Sequence, residues 1–101
     1  MLNYPSENNK LPFAFDAWKL IQNEKAELIR ISLKPGEFIE PHKNDHPVIF
    51  FCISGKANIS ANGVTMILEK GGAVYIEPGN TRGFRNDGTE GLEVAVFKVK
   101  I

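Results

Sequence analysis

GEFIEPHKNDHPVIFFCISG, residues 36–55, and GGAVYIEPGNTRGFRN, residues 71–86, decide the fold of this chain. The first runs Gly36, five residues, His42, one residue, Asn44, three residues, Val48, six residues, Gly55. The second runs Gly71, then Glu77-Pro78-Gly79, two residues, Arg82, three residues, Asn86. In and around them the chain alternates short apolar or β-branched runs (17–21, 27–33, 48–53, 57–61, 64–68, 73–76 and 92–99) with turn chemistry at Asn23-Glu24, Pro35-Gly36, Ser54-Gly55, Asn62-Gly63, Gly71-Gly72, Pro78-Gly79 and Asp87-Gly88. Asn62-Gly63 is the strongest local signal, because a two-residue type I′ turn needs positive φ at both central positions. No window of ten or more residues carries a 3.6-residue apolar period free of glycine or proline, so no helix is expected. Many short strands at close spacing predict an all-β sandwich or barrel.

The chain has 101 residues, enough for one core. Twelve basic and twelve acidic residues give a formal net charge of zero, and no run of like charges concentrates either sign. That leaves no electrostatic footprint for nucleic acid or an anionic membrane. Residues 1–10 lack the charged-then-apolar layout of a signal peptide, and no apolar stretch approaches the ~18 residues of a membrane span. Cys52 is the only cysteine, so no internal disulfide can form. A cytoplasmic protein in a reducing compartment is the expectation.

The two framed segments resemble the paired motifs of the cupin superfamily, G-x5-H-x-H-x3/4-E-x6-G and G-x5-P-x-G-x2-H-x3-N, and their glycine and asparagine frame fits without a gap. The resemblance covers about residues 18–99 and implies an all-β, double-stranded β-helix (jelly-roll) barrel over residues 18–101, preceded by an N-terminal arm of residues 1–17. It also implies where a metal would sit. Of the four positions at which that family usually holds one, three His and a Glu, only His42 is kept, while Asn44, Val48 and Arg82 occupy the others.

Neighbouring side chains of a strand point to opposite faces. If His42 faces inward on an extended segment, Phe38, Glu40 and Asn44 share its face. The resemblance places Val48 inward, with Phe50 and Cys52 following, and Arg82, Phe84 and Asn86 share a parity in the second motif. The expected cavity is mostly apolar, walled by Phe38, Phe50, Tyr75 and Phe84, with a polar group of His42, Asn44, Arg82 and Glu40. Ile49, Phe51 and Ile53 then fall on the opposite face. A strand apolar on both faces is covered on both, and with no helix to do this the simplest cover is a second copy of the chain. A homodimer is the expectation.

A divalent ion needs three or four nitrogen or oxygen ligands converging from fixed strands. Val48 supplies none, and the Arg82 guanidinium repels a cation. His46, four residues after His42, offers an alternative ligand with Asp45 or Glu40 as a third, but in relatives a histidine at this place often lies beside the turn without binding metal. No cofactor is expected, and a metal is disfavoured. Arg82 carries two open readings: an internal ion pair with Glu40, Glu37 or Glu77 or a turn outward to solvent, against a two-pronged clamp on the carboxylate or phosphate of a small ligand. Cys52, within Val-Ile-Phe-Phe-Cys-Ile, reads as a small core residue, and Trp18 as an edge seal.

The resemblance implies no single activity, because cupins include dioxygenases, isomerases, epimerases, decarboxylases, storage proteins and ligand-binding parts of regulators. The leading expectation is a small barrel that binds a polar, anionic metabolite at a degenerate metal site. The alternatives are an isomerase- or epimerase-like enzyme of sugar or sugar-acid metabolism using His42 as acid or base, and a ligand-sensing accessory subunit.

Overall fold

Nine strands and no helix form the computed structural model, which describes residues 2–100. They are β1 (Asp16–Gln22), β2 (Ala26–Leu33), β3 (Phe38–His42), β4 (Val48–Ser54), β5 (Lys56–Ala61), β6 (Val64–Glu69), β7 (Ala73–Ile76), β8 (Arg82–Arg85) and β9 (Leu92–Val99). All seven sequence-predicted strands are present. The two additions, β3 and β8, lie inside the framed motifs, where glycine, proline and charge mask the apolar run.

One sheet has the order β1-β2-β9-β4-β7 and the other β3-β8-β5-β6, and every pairing is antiparallel. Only β1–β2 and β5–β6 are consecutive strands of one sheet; every other connection crosses between the two. That crossing winds the chain into a double-stranded β-helix. The β5–β6 hairpin turns at Asn62 and Gly63, with φ of 51° and 83°, and pairs Ala61 with Val64, as the type I′ reading requires.

The core lies between the sheets. Val48, Phe50 and Cys52 of β4 point into it with Leu33, Ile59, Phe84, Leu92 and Val94. The parity expected for β4 therefore holds. Asn86, also buried, is the polar fastener of the second motif. Its Nδ2 donates to the carbonyl oxygens of Leu33 (3.0 Å) and Glu90 (2.8 Å), and its Oδ1 accepts from the Gly88 amide (3.0 Å). A buried amide must satisfy both ends, and here doing so ties the end of β2 to the loop before β9.

The residues before β1 pack on the barrel. The Leu11 amide donates to the Ala17 carbonyl at 2.8 Å, the Lys19 amide donates to that of Asn9 at 2.9 Å, and Leu11 and Phe15 lie against the core. Trp18 sits on edge strand β1, bridged to Lys10.

Candidate functional site

β3 does not run in one unbroken alternation. Ile39 pairs with Phe84 and His42 with Arg82, so three steps on β3 match two on β8 and a bulge falls at Glu40 and Pro41. Proline suits a bulge because its missing N–H removes no ladder bond there. The bulged backbone crosses so close to β8 that a Cβ at Gly83 would lie 2.5 Å from the Ile39 carbonyl oxygen and 2.8 Å from the Pro41 nitrogen. Only glycine fits between Arg82 and Phe84. The bulge reverses the parity expected across residues 38–44: Ile39 and His42 share the inner side, and Phe38 pairs with the exposed Arg85. Phe38 is half exposed at the sheet edge, where it borders both the cavity and a groove on the outer face.

A cavity of about 460 Å³ opens between β2 and β9 on one side and β3 and β8 on the other. Of the sequence-predicted residues it brings together His42, Asn44, Arg82, Glu40, Phe38, Phe50 and Phe84. Tyr75 is not among them and is corrected: Val74 and Ile76 take the inner side of β7, Ile76 is buried, and Tyr75 is 54% exposed opposite Ile49 on the outer face. Phe50 and Phe84 meet edge to face at 5.2 Å and form the cavity floor.

Arg82 is only 5% exposed, yet among the described residues it has no acidic partner. Among the described residues no carboxylate lies within 4.0 Å of its nitrogens, so Glu37, Glu40 and Glu77 do not pair with it. Its Nη1 donates to the His42 carbonyl oxygen at 3.2 Å, and its buried Nε finds no hydrogen-bond partner. Burial pulls its pKa below the ordinary arginine value, because a low-dielectric wall disfavours the charged form. A buried cation with an orphaned donor is destabilising by itself. Both the internal ion pair and the solvent-facing placement are thereby set aside.

The other polar groups are largely committed. The His42 ring is exposed at the mouth, its Nδ1 3.1 Å from the Glu40 carbonyl oxygen. That oxygen only accepts, so the neutral ring carries its proton on Nδ1 and presents Nε2 as an acceptor. The Asn44 side-chain oxygen accepts from the His46 amide at 3.0 Å, and its backbone oxygen accepts from the Gly79 amide at 2.9 Å.

Sequence reasoning missed a second charged group in the cavity. Glu27 and Lys98 face each other on β2 and β9, with Glu27 Oε1 3.8 Å from Lys98 Nζ and Glu27 Oε2 3.9 Å from Lys100 Nζ. The signal was available as parity, since Glu27 continues the inward series of Ile29, Ile31 and Leu33, and Lys98 that of Val94 and Val96. Pairing the two charges requires knowing that β2 lies beside β9, which no local pattern gives. Phe13 and Phe15 were missed as well. Their rings stack at 5.0 Å and line the cavity from the N-terminal segment.

The residues present do not fit the metal that the fold family implies. Among the described residues no three His, Cys, Asp or Glu side chains converge, Val48 offers no donor, and Arg82 places a cation where a ligand would be needed. Cys52 lies in the core, outside the cavity lining, and burial pushes its thiol pKa up, away from the reactive thiolate.

The nine-strand double-stranded β-helix, with a cavity that β3 and β8 of the two framed motifs wall on one side, defines the class of protein. The cupin domain model matches residues 29–98, and the chain belongs to the cupin family. No curated protein gives a significant sequence match. Among solved structures, an RmlC-like cupin family protein from Methanocaldococcus jannaschii is 20% identical with a TM-score of 0.84, over 98% of this chain and 89% of that one. A Cupin 2 conserved barrel domain protein from Salinispora arenicola is 20% identical with a TM-score of 0.82, over 98% and 88%. A predicted oxalate decarboxylase from Thermotoga maritima is 22% identical with a TM-score of 0.79, over 85% and 80%. At these identities the likeness is one of fold. Among the described residues no helix is long and apolar enough to cross a membrane.

Proposed function

We propose that this cupin binds a small anionic metabolite in the barrel cavity, without a metal, through the guanidinium of Arg82. The observation that carries this reading is a cation buried at the cavity wall with no carboxylate of the described residues beside it. Such a group is stabilised when an anion arrives, and a guanidinium offers a carboxylate or phosphate two parallel donors. Arg82 then supplies the fixed positive charge that a metal supplies in other cupins, while Nε2 of His42 accepts from a ligand hydroxyl. Titration calorimetry against a panel of carboxylates and phosphates tests the reading: at least one binds the wild-type protein and loses roughly tenfold or more in affinity in Arg82→Gln.

The metal-free part of the reading has its own check. Element analysis of protein purified without a histidine tag is expected to give substoichiometric iron, manganese, nickel and zinc, with a melting temperature unmoved by chelator. One tightly held ion per chain, lost in His42→Ala, is the contrary result.

The reading includes a homodimer. Ile21, Phe51, Tyr75 and Phe97 are exposed on the outer face of the five-stranded sheet, beside Ile49, and form an apolar surface of the kind that marks an interface. Phe51→Asp is expected to convert a light-scattering dimer into a monomer at micromolar concentration. A wild-type monomer under the same conditions contradicts the assembly.

Catalysis on a sugar or sugar acid is the second reading, favoured by the free Nε2 acceptor of His42 at the cavity mouth. It requires that any isomerase or epimerase turnover fall at least about a hundredfold in His42→Gln, which removes the base. Unchanged turnover excludes His42 from the chemistry.

A further inference from the structure

The cavity wall narrows the class of ligand. Phe13, Phe15, Ile29, Ile31, Phe84 and Val96 face it from four different segments, and they leave most of its surface without hydrogen-bonding capacity. Few polar groups reach it, and besides Arg82 the only ones with free capacity are His42 Nε2, the Asn44 side-chain nitrogen and the Glu40 carboxylate, all toward the β3 end. Glu27 holds Lys98 and Lys100, and the Asn44 oxygen holds the His46 amide. A sugar or sugar phosphate carries several hydroxyls, each of which needs a partner once buried, and this wall does not supply them. A dianion needs a surplus of cations, and the charged groups that line the cavity, Arg82 and Lys98 against Glu27 and Glu40, sum to zero, while Lys100, the second lysine on Glu27, lies outside the lining.

We propose that the ligand is an amphipathic monocarboxylate, with one charged end on Arg82 and an aromatic or branched aliphatic body lying against the apolar wall, to which the stacked Phe13 and Phe15 rings contribute. This rests on the anion-binding reading of Arg82 and deepens it: Arg82 selects the charge, the N-terminal phenylalanines select the body, and the balance of Lys98 against Glu27 and Glu40 in the lining sets the charge count at one. The cavity volume is that of a small-molecule site.

The test is titration calorimetry with four probes: 3-phenylpropanoate, its uncharged amide 3-phenylpropanamide, gluconate and glucose 6-phosphate. Each is measured on the wild type, Arg82→Gln and Phe13→Ala, with thermal melts confirming that all three fold. Phe13 is more than half exposed, so its truncation leaves the core intact. The expected result is that 3-phenylpropanoate binds the wild type at least about tenfold more tightly than its amide and than either sugar anion. Arg82→Gln brings acid and amide to similar affinity, and Phe13→Ala weakens both by a few-fold. Tighter binding of gluconate or glucose 6-phosphate, lost in Arg82→Gln, overturns the amphipathic ligand and leaves the anion site standing. Equal binding of acid and amide to the wild type, or no Arg82-dependent binding of any probe, overturns both.

Discussion

Gly55→Ala is expected to destabilise the barrel by about 2–4 kcal/mol, combining the strain of a left-handed backbone at a non-glycine residue with a steric clash in a packed region. Gly55 has φ of +85°, and a Cβ there would lie 2.6 Å from the Gly91 carbonyl oxygen and 3.0 Å from the Cα of Leu92. Both neighbours are backbone, so no side chain can swing aside. Leu92 is completely buried at the start of β9, which pairs with both β2 and β4. The turn at Ser54 and Gly55 is also where the chain leaves one sheet for the other, with β4 behind it and β5 ahead. The first motif ends on glycine for this reason: the crossing turns sharply and passes against β9. Urea denaturation of the variant checks the figure; a loss under about 0.5 kcal/mol, the range of an ordinary surface change, contradicts this account of the crossing.

Arg82→Met is expected to fold at least as stably as the wild type, with a gain of up to about 1–3 kcal/mol, and to lose carboxylate binding by roughly tenfold or more. Methionine keeps most of the length and apolar volume of the stem while removing a buried cation that has no anion and an Nε that has no acceptor. The change gives up one partly buried hydrogen bond, from Nη1 to the carbonyl oxygen of His42, an exposed residue at the end of β3. A residue kept for structure destabilises when removed; one kept for binding at the expense of stability does the opposite. Stability and affinity therefore move in opposite directions if Arg82 serves a ligand. Were Arg82→Met to unfold readily, the guanidinium would be a structural strut and its binding role would fall.

The fold was legible because its signals are local. The glycine frame, the Asn62-Gly63 turn and the alternation Val48, Phe50, Cys52 each state their geometry within a few residues. The site was legible only in part, and each failure has a physical cause. Residues 38–44 do not announce the bulge at Glu40 and Pro41, and one extra residue turns every later side chain to the other face. β7 is four residues of Ala-Val-Tyr-Ile, apolar on both faces, so alternation alone could not send Tyr75 outward. Glu27 and Lys98 meet across a strand pairing that joins the second strand to the last, 71 positions apart by their numbers. Arg82 was placed correctly by its position in the second motif. That it lacks an acidic partner among the described residues is a property of the packed barrel, which no pattern in the chain contains.

A crystal structure determined with saturating benzoate tests the central claim most directly. The account predicts the carboxylate in the cavity, with its oxygens about 3 Å from the Arg82 guanidinium nitrogens and its ring against the apolar wall. Arg82 paired instead with Glu27, Glu37, Glu40 or Glu77, or turned out to solvent with no anion beside it, would contradict the claim.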